Sequence, residues 1–164
     1  MIALAVDPET GDSRVLNTQS SAGDDPCYIS IERTGRYALA ANYSSGNVSM
    51  FPIHPNGTLE AASYVVQHSG SSIHPERQDQ PYAHCILPDP TNQFALACDL
   101  GTDKIMVYRM DLDAGQLPEH SEAKVAPGSG PRHLTFHPNG RCAYVVCELN
   151  STVLAFTWDP EVGT

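Results

Sequence analysis

The chain is short of positive charge. Lysine and arginine together number nine against nineteen aspartates and glutamates, which leaves a formal net charge of -10 over 164 residues and a pI near 4.9. Nucleic acid and anionic membrane surfaces are drawn to clustered basic side chains, so neither is an expected partner. An anionic small molecule would need a local positive pocket. Long apolar runs are lacking too. Met1 to Val6 stops at Asp7-Pro8, too short for a signal-peptide core or a membrane span, and no later run reaches spanning length. On that reading the default location is cytoplasmic.

Other absences narrow the chemistry. Cys27, Cys85, Cys98, Cys142 and Cys147 are odd in number, contain no Cys-x-x-Cys pair and mostly lie in apolar runs, which fits reduced core residues better than disulfides or metal ligands. His54, His68, His74, His120 and His137 are scattered over turns and loops without metal-ligand spacing, so they read as surface residues; neither a metal nor a cofactor is expected. There is no Gly-x-Ser-x-Gly elbow and no activated cysteine, which disfavours a covalent nucleophile. Gly128-Ser129-Gly130 is not followed by a helix and reads as a linker rather than a phosphate loop. Asp111-Leu112-Asp113-Ala114-Gly115 lacks the distal glutamate of a calcium loop. No segment carries an apolar stripe at helical spacing, and the thirteen prolines and twelve glycines fall mainly between runs, so the fold class is all-β.

What is present is a repeat. One turn recurs at Asp7-Pro8-Glu9-Thr10-Gly11, His54-Pro55-Asn56-Gly57, Leu112-Asp113-Ala114-Gly115 and Asp159-Pro160-Glu161-Val162-Gly163, each after a short alternating apolar run. A second recurs between them at Thr34-Gly35, Thr91-Asn92 and Asn139-Gly140, each followed by a strand and a polar corner. The unit is strand, turn, strand, corner, strand, turn, strand, repeated about every 46 to 58 residues, the period of four-stranded propeller blades. The chain thus reads as one partial β-propeller domain, 1–164: the end of one blade (1–25), two blades (26–79 and 80–129) and most of another (130–164), about three and a quarter in all. Its end faces are expected to self-associate or to be complemented by further blades. Residues 67–79 form the one long polar loop, an insertion that could overhang a site.

The candidate site starts from Arg132, His133 and Glu148. Asn139-Gly140 signals a two-residue hairpin turn, which would bring the start of one strand beside the end of the next and gather these three at one sheet edge. Strand phase alone decides which of them point the same way. An Arg132–Glu148 pair could equally be a salt bridge that locks blades. Asp99 and Asn42 occupy the same corner as Glu148, where capping of backbone amides is an alternative.

The ordered motifs Ala41-Asn42-Tyr43-Ser44-Ser45-Gly46-Asn47-Val48, Arg77-Gln78-Asp79-Gln80-Pro81-Tyr82-Ala83-His84, Asp99-Leu100-Gly101-Thr102-Asp103-Lys104 and Gly130-Pro131-Arg132-His133-Leu134 with Glu148-Leu149 resemble the lactonase family with a seven-bladed β-propeller. That family includes 6-phosphogluconolactonases and carboxymuconate-cyclising enzymes. The resemblance covers the whole chain and implies that about half of the family's length is present. It implies a site at the channel mouth with His84, Arg132 and Glu148 as catalytic residues and His133 and Asp99 as substrate-binding neighbours. Tyr82 stands where the family commonly has the first histidine of a His-x-His pair, and a further basic residue is expected from later blades. The implied reaction is hydrolysis of a sugar lactone such as 6-phosphogluconolactone, with muconate-type cyclisation of a carboxylated substrate and a non-catalytic binding propeller as alternatives.

Overall fold

The computed structural model describes residues 1–164 and consists of thirteen β-strands with no helix. They form four antiparallel sheets. The first pairs β1 (Ile2–Val6) with β2 (Ser13–Thr18). The second holds β3 (Pro26–Ile31), β4 (Tyr37–Asn42), β5 (Asn47–Pro52) and β6 (Tyr64–Gln67); the third holds β7 (Ala83–Pro88), β8 (Phe94–Asp99), β9 (Lys104–Arg109) and β10 (Glu119–Lys124). The fourth has β11 (Pro131–Phe136), β12 (Cys142–Cys147) and β13 (Thr152–Thr157). Within every sheet the spatial order is the chain order. The leading strands β3, β7 and β11 lie against one another, so the sheets radiate from that side as propeller blades.

Alternation along each strand builds the layers between blades. In β4, Ala38 and Ala40 join Phe51 and Leu59 against the first sheet, while Leu39 and Ala41 join Val48 and Met50 against the third. In β8, Ala95 and Ala97 face back to the second sheet, and Phe94, Leu96 and Cys98 face forward to Leu134, Val145 and Trp158 of the fourth. Strands buried on both faces read as continuous apolar runs, which is why β4 and β8 look alike in sequence. The outward faces of the first and fourth sheets are uncovered: Ile2 is 61% exposed, Val6 62% and Val153 69%.

The turn residues have the conformations their chemistry allows. Gly11, Gly57, Gly115 and Gly163 all have positive φ, between 66° and 86°, and Asn92 (φ 64°) stands in for glycine at the place occupied by Gly35 and Gly140 in the neighbouring blades. The two-residue hairpin expected at Asn139-Gly140 is instead a four-residue loop. His137 N donates to the Cys142 carbonyl across it, and only Gly140 takes the left-handed conformation, whereas a tight turn of that kind needs two such residues. At the opposite end of β3 from the site, Glu32 accepts from Thr34 N, Arg36 N and Asn92 Nδ2, the last from the next blade. Burial alone would raise its carboxyl, but the Thr34 hydroxyl together with these donors holds it down at about 2.

Candidate active site

Each leading strand opens with the same irregularity. Pro26 pairs with Asn42 but Tyr28 with Ala41, Ala83 with Asp99 but Cys85 with Cys98, and Pro131 with Cys147 but His133 with Val146. One extra residue therefore bulges from each: Cys27, His84 and Arg132. A bulge re-aims the side chain it carries. The three point toward one another across successive blades, with Cys27 Sγ 3.9 Å from His84 Nδ1 and Arg132 Nε donating to His84 Nε2 at 3.0 Å. His133, next to the bulge, packs edge-on against the His84 ring at 5.1 Å between centroids and against Tyr28 at 5.4 Å.

The corners after β4, β8 and β12 are equivalent as well. Tyr43 N, Leu100 N and Glu148 N each donate back to the segment leading into their own blade, at Asp25, Tyr82 and Gly130. Glu148 is thus the first residue beyond its strand, and its side chain emerges beside Arg132. Glu148 Oε2 lies 2.7 Å from Arg132 Nε, and Oε1 accepts from Arg77 Nη2 at 2.5 Å. The same Arg77 nitrogen is 3.3 Å from the Tyr43 hydroxyl, and Tyr43 stacks on Tyr82 and meets the His84 ring edge-on. Gly130 (φ 64°) is needed at this approach, because a Cβ there would stand 2.6 Å from Leu149 Cγ.

Charge and protonation follow from this packing. Partial burial by itself raises the Glu148 carboxyl, but the hydrogen bond from Arg77 and the charges of Arg77 and Arg132 outweigh it, so the net direction is down and Glu148 is a carboxylate. Burial, reinforced by Arg132 and His133, pushes His84 down; burial and Arg132 do the same to His133. Both imidazoles are neutral at pH 7. Arginine only donates, so His84 Nε2 carries the lone pair and Nδ1 the proton. Burial and the neighbouring Cys85 push the Cys27 thiol up to about 11, which keeps it protonated and a poor nucleophile. Two guanidiniums around one carboxylate leave a local excess of one positive charge on an acidic chain. The terminal nitrogens of Arg132 and the Nε and Nη1 of Arg77 donate to no protein acceptor. An open cleft of about 650 Å³ on the uncovered side of the fourth sheet is lined by Arg132 and Glu148 together with Val146, Cys147, Thr152 and Val153. A smaller cavity of about 190 Å³ between the third and fourth sheets is lined mainly by apolar side chains and lacks this chemistry.

The structure therefore brings together His84, Arg132, Glu148 and His133. Asp99 it does not. The corner shared by Asn42, Asp99 and Glu148 in the sequence reading is offset by one residue: Asn42 and Asp99 end their strands and match Cys147, not Glu148. One residue along a strand reverses the side chain, and Asp99 turns into the protein. It is fully buried, its Oδ2 2.6 Å from His68 Nδ1 and its Oδ1 accepting from Tyr82 N and Thr102 N. His68, expected at the surface, is buried as well, because its Nε2 is 2.7 Å from the hydroxyl of the buried Tyr108. The Arg132–Glu148 pair lies within one blade, so it locks no blades together; Arg77–Glu148 and Arg132–His84 are the contacts that cross.

Cys27, which the sequence places in the core, is exposed. Its signal was spacing, since Cys27, His84 and Arg132 each precede the left-handed turn residue of their blade, Gly35, Asn92 and Gly140, by the same interval. Arg77 was overlooked as a site residue, although it is one of the few basic residues and lies in the loop expected to overhang. Tyr43 carried no signal of its own. Gly128-Ser129-Gly130 is not a phosphate cradle: Gly128 N and Gly130 N both donate to Asp103.

A family model described as lactonase, 7-bladed beta-propeller, matches residues 1–164. The chain is 37% identical over 161 residues to the 6-phosphogluconolactonase of Bacillus subtilis, covering 98% of this chain and 45% of that protein. It is 32% identical over 157 residues to the 6-phosphogluconolactonase of Formosa agariphila, covering 94% and 44%. Among solved structures, the periplasmic gluconolactonase of Pseudomonas aeruginosa superposes with a TM-score of 0.91 at 33% identity, over 97% of this chain and 46% of that one. The chain spans about half the length of the curated relatives it matches.

Proposed function

The chain belongs to the seven-bladed β-propeller lactonase family, and from that premise we propose that the whole protein hydrolyses a sugar lactone, of the 6-phosphogluconolactone kind, at the mouth formed by His84, Arg132 and Glu148. The observation that carries this reading is the chain of contacts from His84 through Arg132 to Glu148 and Arg77, which ties residues 77–84 to the β11–β12 hairpin of the next blade.

Opening a lactone needs a base for the attacking water and a donor for the charge that grows on the carbonyl oxygen. A neutral imidazole suits the first task better than Glu148, whose carboxylate is held below its ordinary range and is a weak base. Arg132 suits the second. When its donors turn to the substrate carbonyl, His84 Nε2 is released to take a proton from water as its oxygen adds to the acyl carbon; the tetrahedral intermediate then collapses with cleavage of the acyl–oxygen bond of the ring, and the imidazolium returns the proton to the departing ring oxygen. Glu148 keeps both arginines aimed and balances their charge. Imidazoles that stay neutral favour accepting a proton over delivering one, and therefore hydrolysis over cyclisation. Turnover of phosphorylated, neutral and carboxylated lactones by the whole protein tests the reading. Hydrolysis of a sugar lactone supports it, and activity confined to carboxylated muconolactones would overturn it.

A further inference from the structure

We propose that Arg77 recognises an anionic substituent of the substrate, a phosphate or a carboxylate set apart from the reacting carbonyl, by exchanging its bond to Glu148 for that anion. This rests on the lactone reading for the identity of the substrate, but the anion site itself does not depend on it.

Arg77 and Arg132 share one carboxylate yet are placed differently. Arg132 belongs to β11, where the bulge fixes its origin and His84 takes its Nε hydrogen. Arg77 comes from the loop between β6 and β7 and reaches over the mouth with one nitrogen, leaving Nε and Nη1 without an acceptor. Its loop is not a loose arm. The next residue, Gln78, is fully buried, donates through Nε2 to the Leu100 carbonyl and accepts from His74 N, while Ser72 Oγ donates to Asp103. A guanidinium on a pinned loop loses little freedom on binding, and its planar fork matches two oxygens of a phosphate or carboxylate. The Tyr43 hydroxyl beside it is a further donor. On a chain with a net charge of -10 the general field repels anions, so this local excess of positive charge is where one would be held.

The test uses Arg77→Met and Arg77→Lys in the whole protein, with melting followed to establish that both fold, against a phosphorylated sugar lactone, a carboxylated lactone and an uncharged sugar lactone. Arg77→Met is expected to raise KM for the anionic substrate about 10- to 100-fold, the loss of a charge-assisted hydrogen bond or two, and to lower kcat/KM for the anionic lactones by a larger factor than for the uncharged one. Arg77→Lys is expected to restore part of the loss. Whichever anionic lactone suffers more identifies the substituent. Equal losses on charged and uncharged lactones would overturn the proposal, because Arg77 would then act only by holding Glu148. Calorimetric titration with inorganic phosphate separates this from the lactone reading. If no lactone is turned over, weakened phosphate binding in Arg77→Met still supports the anion site, and unchanged binding overturns it.

Discussion

His84 and Arg132 occupy one and the same position in successive blades, each the extra residue of the bulge that opens the leading strand, and Arg132 Nε donates to His84 Nε2 at 3.0 Å. The repeat thus delivers two different functional groups to a shared rim without any change of backbone. Cys27 fills the corresponding position in the preceding blade.

This bond makes the site sensitive to pH in a definite direction. The folded His84 titrates below the ordinary 6.5, so it is neutral at pH 7 and acquires a proton only as the pH falls through its lowered value. A protonated imidazole cannot accept from Arg132 or take a proton from water. The kcat/KM of the whole protein for a lactone, corrected for spontaneous opening, is expected to hold level from pH 7 down past 6.5 and then to decline. The same sign applies to stability: the unfolded chain binds this proton first, so His84 destabilises the fold as the pH drops below about 6.5. A rate that climbs as the pH is lowered would contradict the assignment of His84 as base.

Asp99→Asn separates scaffold from site. Asp99 Oδ1 accepts from Tyr82 N and Thr102 N of its own blade and Oδ2 meets His68 Nδ1 from the loop after β6, and the change would set an amide against His68. Replacing the acceptor of a buried hydrogen bond by a donor costs about 1 to 3 kcal/mol. Denaturant melts are expected to show that loss, while KM of the folded protein stays near its original value. A large rise in KM at unchanged stability would restore Asp99 to the substrate.

The architecture was legible in the sequence because the turns are chemically explicit. Glycine or asparagine stands at the left-handed position of each recurring turn, and the runs between these turns alternate, so thirteen strands in groups of two, four, four and three could be counted without coordinates. The inner rim was legible only in part. Arg132 and Glu148 were found because a hairpin necessarily joins their ends. Asp99 was misplaced by a register of one residue, although the interval from each blade's left-handed turn residue, Gly35, Asn92 or Gly140, matches Asn42 and Asp99 to Cys147 and not to Glu148. Arg77 depends on the path of an irregular loop held by Gln78, and no periodicity describes such a path.

Residues 1–164 by themselves are expected to self-associate. Ile2, Leu4, Val6 and Val15 on the first sheet, with Tyr144, Val146 and Val153 on the fourth, leave apolar faces that water covers poorly. Sedimentation of this segment should give species larger than 17.7 kDa that grow with concentration. A sharp monomer with a cooperative melt would contradict the expectation.

The most direct test of the site is turnover by Arg132→Met in the whole protein, measured on a phosphorylated sugar lactone beside an unfolding curve. If Arg132 supplies the donor for the developing oxyanion, kcat should fall by about 100- to 1,000-fold while the melting transition stays in place. Turnover within about twofold of the unaltered protein, at unchanged stability, would contradict the account.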